Sequence, residues 1–270
     1  MSGETEHDWD EEVERSPSGQ PIHRYEQRTR DFEPAFGDGT LIEAMDRHLD
    51  AIFPGVPRSV LHELVSDLVH LNVHVVAPTA ERPFHTLVTS GMAERPMSQP
   101  EGVEGCGFAE LTLSLPEGWP GFGEGETRLT TDDDHPWRDL DAYWPIGALK
   151  YLARFPHEYE TWIWAGHTVP NGDPAEPLAE GTGLAGWMLW PSEIAGEGFQ
   201  GFSIGDRDVM LLALWPLHPA EMDFKLRYGA EALVERLAAA GHTTLETIDP
   251  QRPCVDVSPP RRRKWWWPFG

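Results

Sequence analysis

The sequence predicts an α+β fold, a largely antiparallel mixed sheet with helices packed on one side, and three observations carry that prediction. Short runs rich in Val and Leu follow one another between residues 60 and 115. A helix-length stretch separates them from three further such runs, and two helical stretches close the order. Connections in the first half are short, which favours antiparallel pairing of sequence neighbours.

The elements follow in chain order. Residues 1–36 are polar, charged and without apolar period, and read as a disordered or loosely held arm. Asp38 or Thr40 suits a helix N-cap, and Leu41, Met45, Leu49 and Ile52 recur on one helical face until Pro54 and Gly55 stop it. Residues 60–65 and 68–77 read as strands, with Ser66 and Asp67 as the turn between them. In the second, Leu71, Val73 and Val75 alternate with His70, Asn72 and His74, which predicts one buried and one polar face. Residues 84–89 and 108–115 read as two more strands, and 116–136, rich in Gly, Asp and Glu, as a loop. Residues 137–155 have helical character. Pro145 suits a first turn, so the main helix is expected to start there, with Ile146, Leu149, Leu152 and Ala153 as its apolar face and Pro156 as its stop. Strands at 161–169, 184–190 and 209–217 precede helices at 219–228 and 229–240, with Gly241 as the last stop. The organisation is therefore an acidic arm (1–36), one domain (37–255) and a basic-aromatic tail (256–270).

Charge narrows the partners. The chain of 270 residues carries 45 Asp and Glu against 21 Lys and Arg, a formal net charge of −24. Such a body repels phosphate backbones, so no nucleic acid is expected on it, and it attracts basic partners. Two cysteines, Cys106 and Cys254, make no disulfide framework, which fits a reducing cytoplasm. The acidic N-terminus lacks the basic start of a secretory signal. Lysine is confined to positions 150, 225 and 264 while Arg, Ala, Gly and Pro are abundant, a usage typical of GC-rich bacterial coding.

Catalytic spacing is missing. His62, Glu63, His70 and His74 could serve a metal-dependent hydrolase, but the H-E-x-x-H spacing fails, and polar residues on a hairpin face account for them. No G-x-S-x-G elbow occurs, and Cys106 sits in a Gly-rich loop. The Gly-rich stretch 118–125 lacks the Lys-Ser/Thr ending of a phosphate cradle, and Asp132 to Asp134 lack calcium-loop spacing. Neither metal nor cofactor is expected. The 12 tryptophans are expected mostly in the core, with Trp162 and Trp164 on one face of a strand. The tail, Arg261 to Lys264 followed by Trp265 to Trp267, suits an anionic membrane surface, which keeps peripheral membrane attachment as an alternative.

An ordered set of segments is similar to a known family. It comprises Val60-Leu61-His62-Glu63 through His70, then Asn72-Val73-His74-Val75-Val76-Ala77-Pro78, Arg82-Pro83-Phe84, and Leu87-Val88-Thr89-Ser90-Gly91-Met92 with Arg95-Pro96. Ala109-Glu110-Leu111, Trp119-Pro120, Phe155-Pro156-His157, Gly166-His167-Thr168, and Pro216-Leu217 with Glu221-Met222 and Lys225 continue it. Together they resemble the Suppressor-of-fused domain family in its bacterial form, over roughly residues 40–255. The resemblance implies an α+β domain without known catalytic residues. Eukaryotic relatives hold a transcription-factor peptide as an added strand between two lobes, and bacterial relatives have been proposed as immunity proteins. This chain departs from the eukaryotic pattern. It has no clear second lobe, and Ala165-Gly166 stand before His167 where the family carries acidic groups. The expected function is thus a non-catalytic protein-binding module, an immunity protein for a basic toxin domain, with Phe155, Trp162, His167 and Trp190 as candidate partner-binding residues.

Overall fold

Eight strands form one sheet in the order β1-β2-β3-β4-β8-β6-β5, with β7 paired to β8 off that path. The computed structural model describes residues 14–26, 28–122, 140–242 and 246–259. The strands are β1 (Arg58–His62), β2 (Asn72–Val76), β3 (Phe84–Ser90), β4 (Ala109–Pro116), β5 (Thr168–Pro170), β6 (Gly186–Pro191), β7 (Gly201–Ile204) and β8 (Arg207–Leu217). The helices are α1 (Gly39–Ile52), α2 (Leu140–Glu158), α3 (Pro219–Tyr228) and α4 (Ala230–Ala239). Strand pairs are antiparallel except β4 with β8, which run parallel in the register Leu111 to Leu212. The α+β class and the mixed, largely antiparallel sheet are as the sequence implies.

Paired residues share a face, so the registers sort the core. Val75, Leu87, Leu113, Leu214 and Leu189 project to one side, where α2 lays Ile146, Leu149, Leu152 and Ala153 against them. Val76, Val88 and Leu211 project to the other, under Met45, Leu49 and Phe53 of the α1 end. Met188, Ala213 and Trp215 share that second side further along and pack under α3 and α4. Helices therefore cover both faces rather than the single one expected. The reason is in β2, whose five residues are all buried. His74 is expected on a polar face. It is instead roofed by α1, with its Nε2 2.9 Å from Ser90 Oγ, and burial holds its imidazole down to about 4, in the neutral form.

Boundaries move for identifiable reasons. Strand β1 ends at His62, and Leu64 and Val65 project into water at 98% and 77% exposure. The turn occupies 63–71, with Leu68 at φ 65°, so apolar composition there misleads. Pro145 and Pro156 both lie inside α2. Thr161 to His167 form no strand; only Thr168–Pro170 pairs. Strand β7 lacks a Val-rich run and is not foreseen. Gly91 (φ 130°) ends β3 where a Cβ would lie 2.1 Å from the His70 carbonyl oxygen, so no larger residue fits.

From residue 14 the described part of the arm lies against the body, through polar contacts that the sequence does not foresee. Arg30 donates to both oxygens of Asp67 at 3.0 and 2.8 Å and also to Glu158. Leu68 N donates to Glu33 O at 2.9 Å, and Ala35 N to Ser66 O at 3.1 Å. Composition misses this because the arm is ordered by charge on its partner surface rather than by apolar burial. The basic-aromatic block of the tail, the acidic residues of the first twelve positions and Asp132 to Asp134 lie outside the described residues.

Candidate partner-binding surface

The end of α2 and the turn after it build an aromatic floor with an acidic rim. Phe155, on the last full turn, packs against Tyr159 at 4.7 Å with the rings tilted by 47°, and meets Tyr151 at 6.0 Å. Tyr151 stays 55% exposed. Glu160 adopts φ 47°, which turns the chain back so that Thr161 N donates to Pro156 O at 2.9 Å. Around this floor stand Glu158, Glu160, Asp67 and Asp173, each engaged by an arginine of the arm. Arg30 is the dominant influence on Asp67 and holds its carboxyl below the ordinary range.

A second turn follows. Trp162 and His167 meet edge to face at 4.5 Å. Trp164 N donates to His167 Nδ1 at 3.2 Å, which leaves the proton on Nε2. Burial first, and then the Lys225 and His23 charges, lower the His167 pKa to about 4. A neutral ring is favoured at and above the unfolded value near 6.5, so its contribution is lost as pH falls through about 4. An NMR titration is expected to place the His167 midpoint near 4, with the Trp162 contact loosening in step. A midpoint at 6.5 would show that the ring is not seated. Trp164 beyond it walls a groove of about 300 Å³, together with Gly105, Phe202, Asp208 and Met210. Gly201 forms its base, where a Cβ would meet Val209 O at 2.6 Å.

Three of the four sequence candidates, Phe155, Trp162 and His167, lie along this one stretch. Trp190 does not join them. It pairs with Ala213 on the opposite face and packs 5.7 Å from Trp215, beside α3 and α4. Of the histidine cluster only Glu63 and His70 meet, each on Ser66 Oγ, at 2.9 and 2.8 Å. His62 Nδ1 meets Asn72 Oδ1 at 2.9 Å, Glu63 receives Arg154 at 2.8 Å, His70 Nδ1 meets Ser66 Oγ at 2.8 Å, and His74 is sealed under α1. Among the described residues no group of three His, Cys, Asp or Glu is arranged to hold a metal, which removes support for the hydrolase alternative. No helix among them is long and apolar enough to cross a membrane. Sequence reasoning overlooks Tyr25, which lies over the floor 5.3 Å from both Phe155 and Tyr159 and shares a 2.6 Å hydrogen bond with Thr161. The available signal is a run of arginines at 24, 28 and 30 in a chain otherwise dominated by acids.

Residues 67–253 match the family model described as Suppressor of fused protein (SUFU). The chain belongs to the Suppressor of fused family. Solved structures share this fold. A SUFU homolog from Neisseria gonorrhoeae FA 1090 aligns with a TM-score of 0.54 at 16% identity, covering 79% of this chain and 96% of that one. A chain of the Sufu–Fu complex aligns with a TM-score of 0.54 at 15% identity, covering 78% and 91%. Drosophila Suppressor of Fused gives 0.54 at 15%, covering 80% of this chain and 51% of its own, so this chain spans about half its length. Among curated protein sequences none matches. The Suppressor of fused match begins at Asp67, the residue that Arg30 grips, so the whole arm lies outside the family segment.

Proposed function

We propose that this Suppressor of fused protein is a non-catalytic binding module that neutralises a basic toxin domain, an immunity protein of a bacterial competition system. The observation that carries the reading is the acidic rim of Glu158, Glu160, Asp67 and Asp173 around the Phe155 and Tyr159 floor. Aromatic side chains supply contact area at little entropic cost, and acidic neighbours steer a basic partner. Trp162 and His167 extend the surface in this reading. Family membership supports protein binding, and the net charge of −24 supports a basic partner. Two unpaired cysteines, Cys106 and Cys254, favour a reducing compartment, the cytoplasm, as its place of work.

The test is binding to toxin domains encoded beside the gene. A cognate domain is expected to bind, at least tenfold more weakly at 500 mM than at 50 mM salt, with the loss mainly in association rate. Absence of binding by every neighbouring gene product would defeat the proposal.

A further inference from the structure

The arm is laid on the candidate surface as a ligand would be. Arg24 reaches Asp173 at 2.6 Å, Arg28 reaches Glu160 at 3.0 Å, and Arg30 grips Asp67 and Glu158. Between the first two, Tyr25 sets its ring over Phe155 and Tyr159 and its hydroxyl on Thr161. Its described residues form neither helix nor strand, and Tyr25 and Phe32 remain 38% and 57% exposed. Apolar burial therefore does little to hold it. Ion pairs hold it along most of its length, hydrogen bonds of Glu33 with Leu68 and Asp67 fasten its end, and the outer pairs are in water, with Arg24 and Asp173 at 63% and 78% exposure. Exposed pairs of this kind contribute little each and are screened by salt. Through Arg24, Arg28 and Arg30 the arm thus complements the acidic rim, although Glu26, Asp31 and Glu33 balance the charge of the segment as a whole; it supplies an aromatic anchor, and its outer contacts are weak.

We propose that residues 21–33 are an internal competitor for the surface at the end of α2, and that the partner segment recognised there is an extended basic peptide carrying an aromatic residue between arginines. This deepens the binding reading above and rests on it for the existence of an external partner. A tethered segment faces its site at an effective concentration near the millimolar range. An external basic segment of equal intrinsic affinity is therefore held off until it brings additional contacts, and the arm acts as a selectivity filter against casual basic peptides.

The probe is a synthetic peptide of residues 21–33, titrated against the full chain and against a full-chain variant carrying Arg24→Glu, Arg28→Glu and Arg30→Glu. The variant is expected to bind the peptide saturably and the unaltered chain at least tenfold more weakly. Adding Glu158→Lys and Glu160→Lys to the variant is expected to abolish binding. Equal binding by unaltered chain and variant, or no binding by a variant with an unchanged far-ultraviolet circular dichroism spectrum, overturns the proposal. Should the variant not fold, hydrogen exchange on the unaltered chain decides. Amides of residues 28–36 and 158–162 are expected to exchange severalfold faster at 1 M than at 50 mM salt, and no change overturns the proposal. A cognate toxin domain that binds chain and variant equally would remove the competitor and leave the binding module. Peptide binding by the variant with no neighbouring gene product binding either chain would do the reverse.

Discussion

Replacing Arg252 by Ala is expected to destabilise the protein by about 3–5 kcal/mol, the loss that follows when one member of a buried ion pair is removed. Arg252 and Glu221 are 4% and 0% exposed at their side chains. The guanidinium donates to Oε1 at 2.7 Å and to Oε2 at 2.5 Å, and also to the Pro216 carbonyl at 3.0 Å. Burial pushes the Glu221 carboxyl up, but Arg252 and the backbone donors of Val255 and His218 outweigh it, and the net direction is down. The carboxylate is therefore charged in the fold. Without Arg252 it keeps two backbone donors and no cation, in a site closed to water. The pair also ties the segment after residue 246 to the first turn of α3, where Glu221 closes the capping box with His218. The effect reaches packing as well, since Val255 sits with Leu217 and Met222 in the core under α3 and α4. Urea unfolding measures the loss, and a value below about 1 kcal/mol would show that water reaches the pair. A double variant, Glu221→Gln with Arg252→Met, is expected to recover much of the loss, because the stranded charge and not the missing attraction causes it.

The parts of the fold written in apolar period are legible in the sequence, and the parts written in polar contacts are not. Leu41, Met45 and Leu49 recur at helical spacing and are all fully buried in α1. Pro219 and Gly229 bound α3 as their chemistry demands. By contrast, Leu64 and Val65 look like strand and are solvent-facing, because pairing with β2 ends at His62 and no residue composition announces that end. His74 looks solvent-facing and is buried, because its cover comes from α1, where Asp46 lies 3.7 Å from its Nδ1, more than twenty residues upstream. At the candidate surface, Phe155, Trp162 and His167, named from family resemblance, fall along one stretch, whereas Trp190 shares their chemistry and lies on the other face. Nothing local reports which face Trp190 takes, because its side is set by the register of β6 on β8, where it pairs with Ala213 more than twenty positions downstream. Tyr25 and the arm arginines escaped because their order depends on acids more than thirty positions away.

Glu110→Ala is the second large effect, expected at about 3 kcal/mol or more from stranded buried donors at roughly 1–3 kcal/mol each. Glu110 is fully buried in β4 and has no cation beside it. Its Oε1 accepts from Gly91 N at 2.8 Å and Ala93 N at 3.0 Å, and its Oε2 from Thr89 Oγ1 at 2.6 Å and Met92 N at 3.3 Å. These donors belong to the tight exit of β3 and the short helical turn Met92–Glu94 that follows it, so one carboxyl satisfies an entire chain reversal. An alanine leaves the three backbone donors, Gly91, Met92 and Ala93 N, without an acceptor in a place water does not reach, while Thr89 Oγ1 keeps the Leu111 carbonyl at 3.4 Å. The pH dependence separates this account from simple loss of volume. Burial, opposed by the four donors, pushes the Glu110 pKa up to about 7. Between its unfolded value near 4.5 and about 7 the folded protein holds a proton that the unfolded chain releases, so this group's contribution to stability falls as pH rises through that window. The Ala variant lacks that decline. Its deficit is therefore expected to be largest near pH 4.5 and smaller at pH 7.5, read from urea midpoints at each pH. Glu110→Gln keeps an oxygen for Gly91 and Ala93 and turns an amide N–H toward Met92 N, so an intermediate loss is expected, with the same pH trend. A deficit constant across pH would mean that the carboxyl is ionised throughout and that the four donors, rather than burial, govern its proton.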